Sequence, residues 1–226
     1  YLYNTEAPGF FVGANDWNTR ASVGPRGYKV IIKAAVDNPG CYLICDSVET
    51  QSAVKAMFAD NEQSIWVDNL TTGANVNQWK IDKLEDGTYE ITNQGTDGER
   101  SLATYKLGVA EHWQGDNNNT RLWLNNPELT YEKDVDGENV PTPVFSGNFY
   151  DKWIFVSQED YNAAEKNENG EIVKIKQYMT AMVLKNTLAA AKAEWEGKVD
   201  FSSVEAVYNN TNSTVEELQA ATDNIP

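Results

Sequence analysis

Trp17 and Trp113 stand in polar surroundings, Asn15-Asp16-Trp17-Asn18 and Glu111-His112-Trp113-Gln114. A large aromatic left among amides, carboxylates and an imidazole is costly without a partner. The chemistry such a setting offers is sugar binding. A pyranose packs its apolar C–H face on an aromatic plane, and its hydroxyl pairs need planar amide or carboxylate partners. The alternative for each residue is a Trp that caps its own loop.

Other chemistries find fewer components. His112 is the single histidine, so neither a Ser-His-Asp triad nor a His-based metal set can be assembled within the chain. Cys41 and Cys45 fall in a stretch that reads as strand, which separates their α-carbons by roughly 13 Å. A disulfide tolerates about 7 Å, so the pair reads as two small buried thiols. No two carboxylates stand out by context as an acid and base pair. Asp134-Val135-Asp136-Gly137-Glu138-Asn139 and Asn167-Glu168-Asn169-Gly170-Glu171 imitate the start of a calcium loop, but the twelfth position holds Phe145 or Tyr178 where the loop needs Glu. Both read as turns. The expectation is a protein that is not an enzyme and carries no metal and no cofactor.

Charge narrows the partners. Eighteen basic against thirty-four acidic residues give a formal charge of −16, which repels nucleic acid and anionic membrane surfaces. No apolar run is long enough to span a bilayer. The chain begins without Met at what reads as a strand and stops at Asn224-Ile225-Pro226, a linker-like sequence. It reads as a trimmed piece of a longer exported protein, with other domains of the same polypeptide among its partners.

The elements that would position these residues come in three echoes. A polar turn runs into an alternating strand at Asn18-Thr19-Arg20-Ala21-Ser22-Val23, at Glu62-Gln63-Ser64-Ile65-Trp66-Val67 and at Asn119-Thr120-Arg121-Leu122-Trp123-Leu124. Each is followed by a strand that opens on an aromatic, Tyr28, Trp79 or Trp153, and preceded by an aromatic-led strand at Tyr1, Tyr42 or Tyr89. Turn clusters such as Pro8-Gly9, Asn38-Pro39-Gly40 and Asp86-Gly87 separate them, and insertions at Asn69–Asn77 and Asn125–Tyr150 lengthen the later repeats. Residues 1–157 therefore read as an all-β domain of three pseudo-repeats.

After Ser157 the period changes. Ile172, Ile175, Met179, Met182, Leu184, Leu188, Ala191 and Trp195 recur at helical spacing. Ser157 with Asp160, and Ser213 with Glu216, have capping-box spacing. The pattern predicts helices near 158–166, 171–195, 202–209 and 214–223, making 158–226 a C-terminal helical domain or linker bundle.

Three repeats of four strands, with Gln63 to Trp66 and Asn77-Gln78-Trp79 in the second and Asp151-Lys152-Trp153 in the third, resemble the β-trefoil of ricin-type lectins, whose repeats carry a Gln-x-Trp motif. Here Gln78 abuts Trp79 directly, and the family's intra-repeat disulfides are absent. The resemblance implies a sugar held by Asp46, Trp66, Asn77 and Gln78, with a strand core as the competing role for Trp66 and Trp79. A degenerate trefoil followed by helices containing Phe201–Tyr208 and Ser213–Leu218 also looks like modules of large exported bacterial surface proteins. Asp46-Ser47-Val48 matches a short O-glycosylation pattern of such proteins. The expected function is non-catalytic carbohydrate binding or glycan adhesion on a secreted or cell-surface bacterial protein. The competing expectation is a protein-interaction or spacer module that binds no sugar.

Overall fold

The computed structural model describes residues 1–7, 9–12, 21–46, 55–59, 64–69, 77–97, 100–113, 121–126, 130–135, 138–143 and 145–226, with Asp46, His112 and Trp113 described by their backbone. The chain is mostly β, with helices gathered at its C-terminal end. The first repeat contributes β1 (Leu2–Asn4), β2 (Gly9–Val12), β3 (Ser22–Gly24) and β4 (Val30–Ala34). The second contributes β5 (Tyr42–Asp46), β6 (Lys55–Ala59), β7 (Ile65–Asn69) and β8 (Trp79–Lys83). The third holds β9 (Tyr89–Asn93), the short pair β10 (Thr96–Asp97) and β11 (Arg100–Ser101), then β12 (Leu107–Trp113) and β13 (Leu122–Leu124). It ends with β14 (Thr130–Val135), β15 (Glu138–Pro143), β16 (Phe145–Tyr150) and β17 (Trp153–Phe155).

One antiparallel sheet of ten strands curls through the order β3-β2-β1-β17-β9-β8-β5-β6-β7, with β4 added to β5. The pairing repeats itself. Trp79 lies opposite Asn93, Trp153 opposite Asn4, and Val30 opposite Asp46. Tyr42 meets Trp79 within the second repeat, and Tyr89 meets Trp153 within the third. Trp79 and Trp153 are fully buried, and their indole N–H groups donate to the carbonyls of Met57 and Leu107 at 2.9 and 2.8 Å. Both residues belong to the main core with Leu2, Ile44, Ile65, Ile91, Leu107 and Leu122.

The register corrects one expectation. Tyr28 does not open the last strand of the first repeat; it precedes β4 and is 43% exposed, while Val30 holds the place of Trp79 and Trp153. The branched run Val30-Ile31-Ile32 suits the extended backbone better than the Gly27-Tyr28 pair before it. The insertion at 125–150 is not one long loop either. It forms the β14–β15 hairpin and β16, which pairs with β12. Pro141 and Pro143 hid this hairpin, because proline in a run argues against a central strand and is tolerated in a two-stranded ribbon.

Four helices follow: α1 (Gln158–Ala163), α2 (Ile175–Glu194), α3 (Ser202–Asn209) and α4 (Val215–Asp223). Ser157 caps α1 as its spacing predicts, accepting from the Asp160 N–H at 3.0 Å. Helix α2 begins later than expected, since Lys174 takes a left-handed conformation and residues 166–172 close a turn, with Asn167 Oδ1 accepting from the Asn169 and Glu171 amides. The capping box of α4 is Thr214 with Glu217 rather than Ser213 with Glu216. That frame turns Leu218 and Ala221 inward.

The helices pack on the sheet along β1 and β17. Alternation divides those strands between two cores: Leu2 and Trp153 face the main core, whereas Tyr3, Ile154 and Val156 join Tyr161, Ile172, Met179 and Met182. Further along α2, Leu184, Leu188 and Ala191 meet Phe201, Val204, Leu218 and Ala221 of the last two helices. Cys41 and Cys45 are buried free thiols.

A second contact ties the β8–β9 turn to α2. Gly87 has φ +79°, and a Cβ there would lie 2.5 Å from Thr187 Oγ1, which itself donates to the Asp86 carbonyl at 3.3 Å. Gly87→Ala is expected to cost about 1–2 kcal/mol from the left-handed backbone alone. Thermal unfolding should register it as a fall in Tm of about 2–8 °C.

Candidate functional site

Three hairpins, β2–β3, β6–β7 and β12–β13, meet at one point of the backbone. Ala21 N–H donates to the Ile65 carbonyl at 2.7 Å and Leu122 N–H to the Ala21 carbonyl at 3.1 Å, while Ser64 bridges Trp123 and Ser22 bridges Arg121. Ala21, Ile65 and Leu122 are fully buried, and each occupies the same place in its sequence echo. The described chain re-enters at this triangle, at Ala21, Ser64 and Arg121, after the connections 13–20, 60–63 and 114–120, whereas Trp113 stands four strand residues, roughly 13 Å, beyond Val109, the partner of Leu122. Trp17 falls in the first and lies outside the described residues; Trp113 ends β12 at the entrance to the third. Gln63 and Ser47-Val48 also lie outside the described residues.

Trp66 sits in β7 opposite Phe58 of β6. Its neighbours Ile65 and Val67 are buried, and Trp66, on the other side of the strand, is half-buried. Trp66 is thus less enclosed than Trp79 and Trp153, which are fully buried.

The remaining residues of the second repeat are not gathered. Gln78 precedes Trp79, which pairs with Tyr42 at the start of β5, whereas Asp46 ends that strand. Four residues of strand put them roughly 13 Å apart along β5. Asn77 and Gln78 are both buried. The Gln78 side-chain oxygen accepts from the Asn38 amide at 2.9 Å, joining the start of β8 to the β4–β5 turn.

The third repeat repeats this clasp with charge. Lys152, immediately before Trp153, reaches Asp86 in the β8–β9 turn at 2.8 Å. The backbone agrees: the Gln78 carbonyl accepts from Gln94 N–H at 2.8 Å, and the Lys152 carbonyl accepts from Thr5 N–H at 3.0 Å. In register the backbone of Asp46 matches Asn4 and Asn93, and both of these asparagines are fully buried. Asn4 Oδ1 accepts from the Glu6 and Ala7 amides at 3.1 and 2.7 Å, and Asn93 Oδ1 accepts from Gly95 N–H at 2.7 Å. The asparagine amide at this place closes the turn that leaves β1 and β9.

Sequence reasoning missed two charged pairs, Asp86 with Lys152 inside the β domain and Asp160 with Lys185 between α1 and α2. Burial would raise the pKa of Asp86, but hydrogen bonds from Lys152 and Thr88 outweigh it and hold the carboxyl below the ordinary range. Asp160 behaves alike: burial opposes ionisation, and Lys185 at 2.5 Å with Ser157 prevails. Both carboxyls bind protons less readily folded than unfolded, so their contribution is present at neutral pH and is lost as pH falls through the carboxylate range. Partial exposure limits each pair to about 1 kcal/mol or less. The expected result is a urea midpoint that falls between about pH 7 and about pH 3 by less in the Asp86→Asn, Asp160→Asn double variant than in the parent protein.

Among the described residues no three His, Cys, Asp or Glu side chains gather as a metal site, and no helix is long and apolar enough to cross a membrane. No protein-family model and no curated protein matches the chain. A structural likeness to the crystal structure of the lysenin pore has a TM-score of 0.36 at 12% sequence identity. It covers 54% of this chain and 44% of that one.

Proposed function

We propose that residues 1–157 form a degenerate ricin-type β-trefoil and that the chain serves as a non-catalytic glycan-binding module of an exported, surface-associated bacterial protein. Support for the trefoil comes from the threefold recurrence of strand pairing, from the two equivalent buried tryptophans and from the hairpin triangle. The observation that carries the binding reading is that triangle. The chain returns to this hairpin pole, at Ala21 and Arg121, directly after the connections that hold Trp17 and follow Trp113. The contacts are then Trp17 and Trp113, with Trp66 as the half-buried aromatic of the second repeat. Asn77 and Gln78, both buried, act in this reading as parts of the frame.

A second reading, a protein-interaction or spacer module without sugar binding, is favoured by the core shared between sheet and helices, which makes the chain a rigid block. A glycan-array screen of the intact chain beside a Trp17→Ala, Trp113→Ala double variant separates the two, with circular dichroism to verify that both fold. Specific binding lost in the variant supports the glycan module and its pole. Binding retained moves the site to the Asp46 repeat, and an array without binding favours the spacer.

A further inference from the structure

Helices α1, α2 and α3 leave a cleft of about 510 Å³ between them, with Asp160, Ala163, Tyr178, Ala181, Met182 and Tyr208 in its lining. That is the size of a small-molecule site. Its wall holds a polar group that the fold does not satisfy. The hydroxyl of Tyr178 is buried and has no hydrogen-bond partner among the described residues. Burial pushes the phenol pKa up and the Asp160 carboxylate adds to the rise, so the group stays an O–H donor at neutral pH. A buried donor without an acceptor is destabilising, and buried polar groups ordinarily have one. Phenylalanine would pack the same wall without that penalty.

The rest of the lining selects the acceptor. Asp160 and Glu165 bring two carboxylates to the cleft, against the one ammonium of Lys174. An anion would accept from Tyr178 but be repelled by the carboxylates. A cation would pair with the carboxylates but offer Tyr178 no acceptor. A neutral hydroxyl serves both, accepting from the phenol and donating to a carboxylate oxygen. Asp160 is held in place for this, since Lys185 lies 2.5 Å from Oδ1 and the Ser157 hydroxyl donates to Oδ2 at 2.8 Å, and each oxygen keeps a further lone pair. Asn209 and Asn210 add amides at the end of α3, and Asn210, whose Oδ1 accepts from Asn212 N–H at 3.1 Å, has its NH₂ group left to donate. Tyr178 and Tyr208 are half-buried aromatics beside Ala181 and Met182. Aromatic surface, amides and carboxylates around one concavity suit a ring with hydroxyls on its rim and C–H groups on its face. Such a ring holds donors and acceptors within one compact body, whereas a peptide spreads them along about 3.3 Å per residue.

We propose that the cleft between α1, α2 and α3 binds a neutral sugar ring, with the Tyr178 hydroxyl donating to one of its hydroxyls and Asp160 accepting from a neighbouring one. Because the phenol is closed off from solvent, the sugar enters with a small turn of the Tyr178 side chain toward the cleft that this residue already lines. The site belongs to the helical segment and is independent of whether the hairpin pole binds glycan.

The test follows amide NMR shifts of the intact chain as glucose, galactose, mannose or N-acetylglucosamine is added at millimolar concentration. At least one sugar is expected to shift amides within 160–165, 173–182 and 208–213, saturably. Tyr178→Phe should weaken that binding at least about fivefold while its Tm stays equal or rises, because the variant removes an unsatisfied hydroxyl. A purely structural role for the hydroxyl would lower Tm instead. Ala163→Trp, at an exposed position of the lining, should block binding by filling the cleft. No shift with any of the four sugars, unchanged affinity in Tyr178→Phe, a Tm of that variant clearly below the parent, or the same amides answering to an uncharged Ala-Asn-Ala peptide and not to sugar would each overturn the proposal. Shifts confined to the surroundings of Ala21, Ile65 and Leu122 would overturn it too, and would leave the glycan reading of the hairpin pole standing.

Discussion

Trp79→Ala is expected to remove about 3–5 kcal/mol of stability, a large part of the 5–15 kcal/mol typical of a folded domain. The indole is fully buried between β5, β6 and β9, and its N–H donates to the Met57 carbonyl at 2.9 Å. Alanine leaves a cavity and an acceptor without its donor. Trp79→Phe separates the two effects, because it keeps most of the volume and forfeits the hydrogen bond; its expected cost is about 1–3 kcal/mol. Trp153→Ala should match Trp79→Ala, since its N–H donates to the Leu107 carbonyl in the same way. Tyr28→Ala should change little, about 0.5 kcal/mol or less, because Tyr28 is outside the core. Urea unfolding followed by far-ultraviolet circular dichroism measures all four without relying on the fluorescence that the substitutions remove. An equal cost at Tyr28 and Trp79 would contradict the register that puts Val30 in the third equivalent place.

That contrast shows what the sequence could carry. The echoes around Ala21, Ile65 and Leu122 were legible because each follows a polar turn and starts an alternating strand, and these local signals mark the hairpins that meet. Tyr28 misled because an aromatic at a strand opening is a composition cue, whereas register is set by partners far along the chain. The two capping boxes near α4, Ser213 with Glu216 and Thr214 with Glu217, satisfy the same spacing one residue apart. Burial of Leu218 and Ala221 chooses between them, and that is a property of the packed helices. The left-handed Lys174 that delays α2 has no local signal at all. Gln78 illustrates the limit for the candidate site. A planar amide beside a strand tryptophan reads equally as a sugar ligand or a clasp, and its partner Asn38 is 40 residues away.

Ile154→Asp is expected to have the other large effect, about 4 kcal/mol or more, because it places an unpaired carboxylate where an aliphatic side chain is fully buried. Its consequence should be selective. Ile154 points from β17 toward Tyr161, Met179 and Met182, while Trp153 beside it points into the main core. The substitution therefore attacks the junction and spares the tryptophan side of the strand. In the parent protein, a core shared by sheet and helices predicts coincident unfolding by helical ellipticity and by the near-ultraviolet signal of the packed aromatics. In Ile154→Asp the helical signal should fall at lower urea than the aromatic one. Ile154→Val, which removes one methylene and leaves the seam apolar, should cost about 0.5–1.5 kcal/mol and keep the transitions together. If Ile154→Asp leaves both midpoints coincident and unmoved, the seam along β1 and β17 is not what joins the helices to the sheet. The spacer reading, which depends on that rigidity, would then lose its basis, while the glycan reading, which depends on the hairpin pole, would stand.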